Sequence, residues 1–487
     1  MSLKDTILNA FRASVPGQIV TISDLLVQDM SDAERARIQK MNDAWDAYAG
    51  KLEAPLKKTK SDPNAKDNIL LNLSGPVVDT GVSFLVGKPV QFEVDGGTEV
   101  DGGEEGEEES TADQWLTECL KKAKMQSKLH MMALNGGVCG DVFVKIVPGK
   151  PYPRIVVWDS TSVDVVSAPD DFEHVMQYKL QWNGIDPVTK KACAYRQLVT
   201  EAENGQSWTI ADQKSDPNIK HWQPVGEPVN WPYAWSPIFH CQNLPSPCSY
   251  YGVSDLEEHV VEVNDAINFV ISNLARIVRI HAHPKTWGKG FSAKELEIGI
   301  DETIIIKSAT GELQNLEMLS DLSSSLALYD KLKAVMTEIV RVPEVAAGKL
   351  DSIGQLSGLA IQIMFQPLLQ KNGTKQLLYG EMLSDLCARL LELGGQGEDH
   401  TVDVEWPDPL PSDPVATGAA AEGHQRMGIV SKDTLATKFG YDYSQEKGKI
   451  ASEGQDAGDQ LLTAFDRGQT NSSGQSGPND QSKGKKQ

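Results

Sequence analysis

Two long apolar seams at helical spacing, within residues 252 to 393, constrain this chain more than any other feature. From Val253 onward the apolar residues fall at Val253, Leu256, Val260, Val263, Ile267, Val270, Leu274 and Ile277. The intervals alternate three and four, which draws one stripe along a continuous helix. A helix over 253–280 would be roughly 42 Å long at about 1.5 Å per residue. A second seam, Leu328, Leu332, Val335, Ile339 and Val342, follows Ser323-Ser324-Ser325 and stops at Pro343. Each helix has one narrow apolar stripe and an otherwise polar surface. Such helices bury the stripe against a neighbour or against copies of themselves. That is a wall element of an assembly, not the core of a metabolic enzyme.

The 487 residues exceed one ordinary core, so more than one packed region is expected. No apolar run reaches the roughly 18 residues needed to span a bilayer, and no membrane partner is expected. Lys4, Asp5 and Asn9 interrupt any secretory apolar stretch at the start, so the expectation is assembly in the cytoplasm. Six cysteines without a C-x-x-C pair read as free thiols. His240, Cys241 and Cys248 match no zinc spacing, so no metal or other cofactor is expected. The net charge of −22 excludes a protein that grips nucleic acid over its whole surface. It is compatible with one through which DNA slides. Part of that charge is local: residues 95–109 hold eight acids among glycines and read as a solvated loop without EF-hand spacing.

Along the chain, residues 1 to 60 are helical and charged, with Trp45 and Tyr48 as docking contacts. A helix over 68–86 is expected to break at Gly75-Pro76. A strand over 88–94 follows, then a helix over 111–133 ended by Asn135-Gly136-Gly137, then a strand over 141–147. No G-K-[ST] follows those glycines, and Gly87-Lys88 precedes Pro89, so there is no Walker A loop and no P-loop ATPase. Residues 150 to 245 are β-rich, with strands at 154–158, 174–182, 192–200 and 206–211. Trp208, Trp222, Trp231 and Trp235 crowd that stretch, as sheet packing or as a sugar- or base-stacking surface. No acid–base pair or nucleophile–His arrangement accompanies them, and no catalytic residue is assigned.

Between the two seams, residues 266–294 contain no acid, yet hold Arg276, Arg279, Lys285, Lys289 and Lys294. The helix dipole accounts for the two arginines, which sit in the last turns. The lysines beyond it would meet phosphate or an acidic partner, and both readings stand. Residues 303–307 and 313–318 around Thr310-Gly311 read as a hairpin. The stretch from Pro343 to Gly358 holds Gly348, Gly354 and Gly358 with only Lys349 and Asp351 charged among its interior residues besides Glu344. The next helix carries Pro367 and Gly373, where a kink or break is expected. Thr401 to Glu405 alternate as an edge strand. Asp413-Pro414 opens a short helix ended by Gly428, and Ser431 caps another. Residues 467–487 are low-complexity and read as disordered.

The order of several short motifs resembles the portal proteins of tailed bacteriophages, over about residues 65 to 445. They are Phe84 to Val90 (FLVGKPV), Tyr251 to Leu256 (YGVSDL), Asn264 to Asn268 (NDAIN) and Pro343 to Gly348 (PEVAAG). Ser357 to Ile361 (SGLAI), Gln366 to Leu368 (QPL) and Val404 to Pro411 (VEWPDPLP) complete the series. The resemblance implies a mixed α/β, mainly α-helical subunit. It would comprise a wing with β-strands (1–250), a first stem helix (251–281), a small α/β clip (282–321) and a second stem helix (322–342). A tunnel loop (343–358), a long kinked helix with a strand returning to the wing (359–411), a helical crown (412–466) and a disordered tail would follow. The family pattern is a dodecameric ring at one capsid vertex of the virion, the channel for double-stranded DNA in packaging and ejection. Its partners would be the terminase large subunit, the head-tail adaptor, and the major capsid and scaffold proteins. Channel candidates are then Gly348, Lys349, Gly354, Arg276 and Arg279. Lys285, Lys289 and Lys294 would lie on the clip, and Val260, Val263, Ile267, Val270, Leu274 and Ile277 would form the assembly seam. The competing classes are another self-assembling virion protein and a tryptophan-lined polysaccharide hydrolase.

Overall fold

A computed structural model describes residues 30–58, 66–95, 111–215, 221–282, 286–290, 296–298, 304–306, 310–315, 322–343, 358–397, 400–410, 414–439, 443 and 446–450. The chain divides into two units, Met1–Leu410 and Pro411–Gln487. In the first unit the elements run α1 (Asp32–Tyr48), α2 (Ser74–Val86), β1 (Gln91–Asp95), α3 (Thr111–Ala123), α4 (Met125–Cys139), β2 (Asp141–Val147) and β3 (Arg154–Trp158). Next come β4 (Val163–Ala168), β5 (Asp171–Ile185), β6 (Ala192–Glu201), β7 (Trp208–Ser215), β8 (Gln223–Pro224), β9 (Val229–Trp231) and β10 (Ile238–Gln242). Then come α5 (Glu258–Ala282), β11 (Thr286–Lys289), β12 (Leu296–Ile298), β13 (Ile304–Ile306), β14 (Glu312–Asn315) and α6 (Ser323–Val340). The unit closes with α7 (Gly358–Leu393) and β15 (Thr401–Glu405). Helix exceeds strand about two to one, a mixed α/β chain weighted to helix.

The main core is helical and wraps a small sheet. Buried residues of α2, α3, α4 and α7 meet β2 of the three-stranded sheet β10-β2-β3. Six of the seven β2 residues are buried, as expected of a central strand covered on both faces. α7 supplies Tyr379, Leu383, Leu386 and Leu390, all fully buried, a run at spacings of three and four. A separate antiparallel sheet, ordered β4-β5-β6-β7-β8 with β9 also on β7, buries Trp208 and Trp231 opposite each other in register. Their indole N–H groups donate to the carbonyls of Ala234 and Trp235, and the Arg196 guanidinium lies over Trp222. The tryptophans are packing, each with a polar or apolar neighbour of its own. β1 and β15 pair far from each other in sequence and close the edge near α7.

Several expected boundaries move, each for a local reason. Gly75-Pro76 opens α2 instead of breaking it, because N–H groups of a first helical turn need no partner and Pro76 loses nothing there. The expected 111–133 helix is two helices, divided at Lys124 with φ +55°. The second runs through Gly136-Gly137, where glycine serves close packing and not a helix stop: a β-carbon on Gly136 would stand 1.9 Å from the Tyr379 hydroxyl. It ends at Gly140, whose φ of +90° suits a helix C-terminus. Trp45 and Tyr48 lie edge to face and pack on the core of their own chain. α7 continues through both Pro367 and Gly373 for 36 residues, so no break occurs there.

The second unit contains α8 (Pro414–Arg426) and α9 (Lys432–Lys438). Pro414 stands first in α8, and the Ser431 hydroxyl accepts the Thr434 N–H at 3.1 Å to cap α9. The acidic stretch after Asp95 and the tail 467–487 lie outside the described residues.

Candidate functional site

α5 and α6 carry the two apolar seams and form a helix pair. β11 pairs antiparallel with β14, which brings the end of α5 to the start of α6, and the two helices pack side by side. On α5, Val260 and Ile267 are buried in the main core, Val263 packs against it, and Val270, Leu274 and Ile277 are half-buried. The helix starts at Glu258, so Val253 and Leu256 belong to the preceding turn instead of the helical seam. On α6 and just beyond it, Met336 and Val340 are buried and Tyr329, Leu332, Ile339 and Val342 pack against the core, whereas Leu328 is 50% exposed. Three of the five expected seam residues thus face the core, and Tyr329, Met336 and Val340, which the expected seam passed over, widen the stripe. Phe269, Leu326 and Leu328 remain exposed on this pair.

Beside the apolar seam, α5 carries a polar row that is equally buried. Asn264, Asn268 and Ser272 are each 1% exposed or less and stand four apart. They accept the backbone N–H groups of Leu73 (3.0 Å), Leu71 (2.8 Å) and Ile69 (2.9 Å) respectively. Asn268 and Ser272 also donate back to the carbonyls of Leu71 and Ile69. One turn further, Arg276 Nε reaches Asp67 at 3.0 Å, and Arg279 holds the same carboxylate at 2.6 Å and 2.9 Å. The Arg279 hydrogen bond is the main reason the Asp67 carboxyl is held below its usual range; Arg276 adds to it. Arg276 and Arg279 therefore engage a buried acid of their own chain. Arg276 and Arg279 were expected as channel candidates; within the subunit both are engaged by Asp67, a partner that dipole matching alone would not have revealed. The readable signal was a polar residue every fourth position, Asn264-Asn268-Ser272-Arg276, on a helix otherwise rich in apolar residues.

The insert between the stem helices is built of nested strand pairs. β12 pairs with β13, and β11 with β14. Among the described residues the expected hairpin of 303–307 with 313–318 does not form: Ile304–Ile306 pairs back with β12, and Glu312–Asn315 pairs with β11. Lys289 faces Glu312 in register, and their charges meet at 2.8 Å on an exposed surface. Lys285 and Lys294 lie outside the described residues, as do Gly348, Lys349 and Gly354.

The turn leading into α5 explains the YGVSDL motif. Tyr251 lies under the Arg37 guanidinium, 3.9 Å from the ring centre. The Gly252 N–H donates to Asp141 Oδ1 at 2.8 Å, and that oxygen also meets His240 Nε2 at 2.9 Å. The Ser254 hydroxyl reaches the carbonyls of Gly137 and Val138, which terminate α4. Asp255 is buried beneath α7, where Lys371 (2.9 Å) and Lys375 (2.5 Å) converge on it. Burial alone would raise the Asp255 carboxyl, but the two ammonium groups overcome it and hold it low. Beside this cluster lies a cavity of about 10 Å³, lined by Val340, Val342, Leu368 and Asn372 among others. One junction thus joins the start of α5, the end of α6 and the long helix α7.

The family model described as phage portal protein, SPP1 Gp6-like, matches residues 26–460. Among solved structures, the chain is similar to one in the virion of a native gene transfer agent (GTA) particle, with 12% identity and a TM-score of 0.45. That match covers 90% of this chain and 99% of the other. It is also similar to a chain in the neck of the empty GTA particle computed with C6 symmetry. There the identity is 12% and the TM-score 0.47, over 76% of this chain and 90% of that one. No curated protein matches the sequence. The family match spans nearly the whole chain, including the stem helices, the insert between them and the YGVSDL junction: the chain belongs to the SPP1 Gp6-like phage portal proteins.

Proposed function

We propose that copies of this chain close into a ring, twelve by the family pattern, at one vertex of a capsid. The ring conducts double-stranded DNA inward during packaging and outward at ejection. The strand-built insert, as a clip, meets the terminase large subunit first and the head-tail adaptor later. The wing meets the major capsid and scaffold proteins. The chain serves as a conduit and a docking platform, not as a catalyst. The family match over residues 26–460 carries this reading. The antiparallel stem pair supports it, since exposed Phe269 and Leu328 leave apolar surface for a neighbouring copy.

Negative-stain images of the purified protein test it directly. Closed rings with a central hole are expected; filaments, sheets or dispersed monomers would overturn it. Converting Lys285, Lys289 and Lys294 to Gln then separates the roles of the insert. Weaker DNA retention with a flatter salt dependence assigns them to phosphate, and loss of terminase binding alone assigns them to the partner.

A further inference from the structure

A cleft between the end of α3, the start of α4 and the approach to β3 holds an unmatched block of positive charge. Its walls carry Lys122, Lys128 and Arg154, and its apolar surface includes Met131, Ile155 and Val157, in a volume of about 780 Å³. Met131 is 52% exposed there. Among the described residues none of the three cations pairs with a carboxylate, although the chain carries a net charge of −22. Lys128 donates to the Ile155 carbonyl. Its ammonium is held below the ordinary lysine range, first by burial and then by the nearby Arg154. Like charges crowded at an apolar floor call for an anionic occupant. A phosphodiester would satisfy the cations and leave that floor bare. An acidic peptide with an apolar residue covers both.

The chain itself holds such a sequence. Residues 95–109 contain eight acids together with Val100. The stretch leaves β1 at Asp95 and rejoins at Thr111, the first residue of α3, whose last turn carries Lys121 and Lys122. α3 is about 20 Å long at 1.5 Å per residue. The intervening residues reach about 50 Å when extended, and β1 packs against α3. A path from β1 to the cleft and back to the start of α3 is therefore within reach. Tethering keeps these acids at an effective concentration in the millimolar range.

We propose that this basic cleft is the docking site for the acidic run of the same chain, with the carboxylates of residues 104–109 set against Lys122, Lys128 and Arg154. Zero-length carbodiimide cross-linking of the full chain, assembled from equal parts of unlabelled and 15N-labelled protein, tests this. At low salt, links are expected from Lys122 or Lys128 to residues 104–109, within one isotope. They should fall on the order of tenfold in about 0.5 M salt, where the screening length is only roughly 4 Å. They should also be lost in the Lys122→Glu, Arg154→Glu variant. Should that variant fold poorly, Gln at Glu104, Glu105, Glu107, Glu108 and Glu109 removes the charge from the other side and should deprotect Lys122 and Lys128 to amine acetylation. Mixed-isotope links in place of same-isotope ones would assign the occupant to a second copy and overturn the proposal. Absence of links at low salt, or links indifferent to salt and to charge reversal, would also overturn it.

Discussion

Asn268 holds both backbone groups of Leu71: its Oδ1 accepts the N–H at 2.8 Å and its Nδ2 donates to the carbonyl at 3.2 Å. The pairing repeats because two periods coincide. Helix positions four apart rise about 6 Å, and extended residues two apart advance about 6.6 Å. Asn264, Asn268, Ser272 and Arg276 therefore meet Leu73, Leu71, Ile69 and Asp67 in order. The helix takes the place of a neighbouring strand. The segment before α2 gains hydrogen bonds that an isolated extended chain would have to seek from water.

Replacing Asn268 by Leu removes both bonds and strands two backbone groups of Leu71 under an apolar side chain. A loss of about 1–3 kcal/mol is expected, which is the cost of leaving a buried polar group unmatched. Denaturant unfolding measures it as a lower midpoint at unchanged slope. A wild-type midpoint would mean that water reaches Leu71 freely.

The arginine end of the ladder sets an acid limit. Asp67 is held below the ordinary carboxylate range by Arg279 and Arg276. A depressed folded value contributes stability that is complete above the unfolded value, near 3.8, and is lost as pH falls through the folded value. The attachment of residues 67–73 to α5 should thus be constant from neutral pH to about pH 4 and fail below it. Asp67→Asn should already weaken the attachment at pH 7 and flatten its acid dependence. Amide exchange at Ile69, Leu71 and Leu73 reads this out, and protection that rises on acidification to pH 3 would refute the sign.

The stem helices, β2 and the caps at Pro414 and Ser431 were legible because each is a local pattern: a period, an alternating run, a turn residue. Their partners were not. A seam states that one face of α5 is buried without saying that Met336 and Val340 cover it. Nor can a polar stripe at Asn264 and Asn268 name residues about two hundred positions earlier in the chain. The same limit hid the partner of Arg276 and Arg279, since Asp67 has no sequence mark of its own. In the insert, turn chemistry at Thr310-Gly311 was visible, whereas the pairing of β12 with β13 and of β11 with β14 depends on which edges meet in space.

This placement changes the choice of assembly mutant. Ile267 is 1% exposed within the subunit core, so Ile267→Asp buries a charge and costs several kcal/mol of fold whatever the ring does. Phe269 and Leu328 are half exposed, and Phe269→Glu with Leu328→Glu should leave the subunit folded. If copies meet through this face of the stem, that double variant yields folded subunits by circular dichroism and few rings by light scattering. Normal rings would place the neighbour elsewhere.

At the stem base, one carboxylate faces two ammonium groups. Burial presses the Lys375 ammonium below its ordinary range more strongly than Asp255 draws it up, and Lys371 repels it further. Asp255 is itself held low by both lysines, so the acid is the indispensable member of the three. Asp255→Asn would leave Lys371 and Lys375 buried without a counter-charge, at a cost of about 3–5 kcal/mol. Lys375→Met removes one of the two cations and leaves Asp255 its pair with Lys371 at 2.9 Å, so it should cost markedly less. The order matters more than either value. If Lys375→Met lowers the unfolding midpoint as much as Asp255→Asn, Lys371 does not neutralise the acid, and the junction of the stem with α7 rests on Lys375 alone.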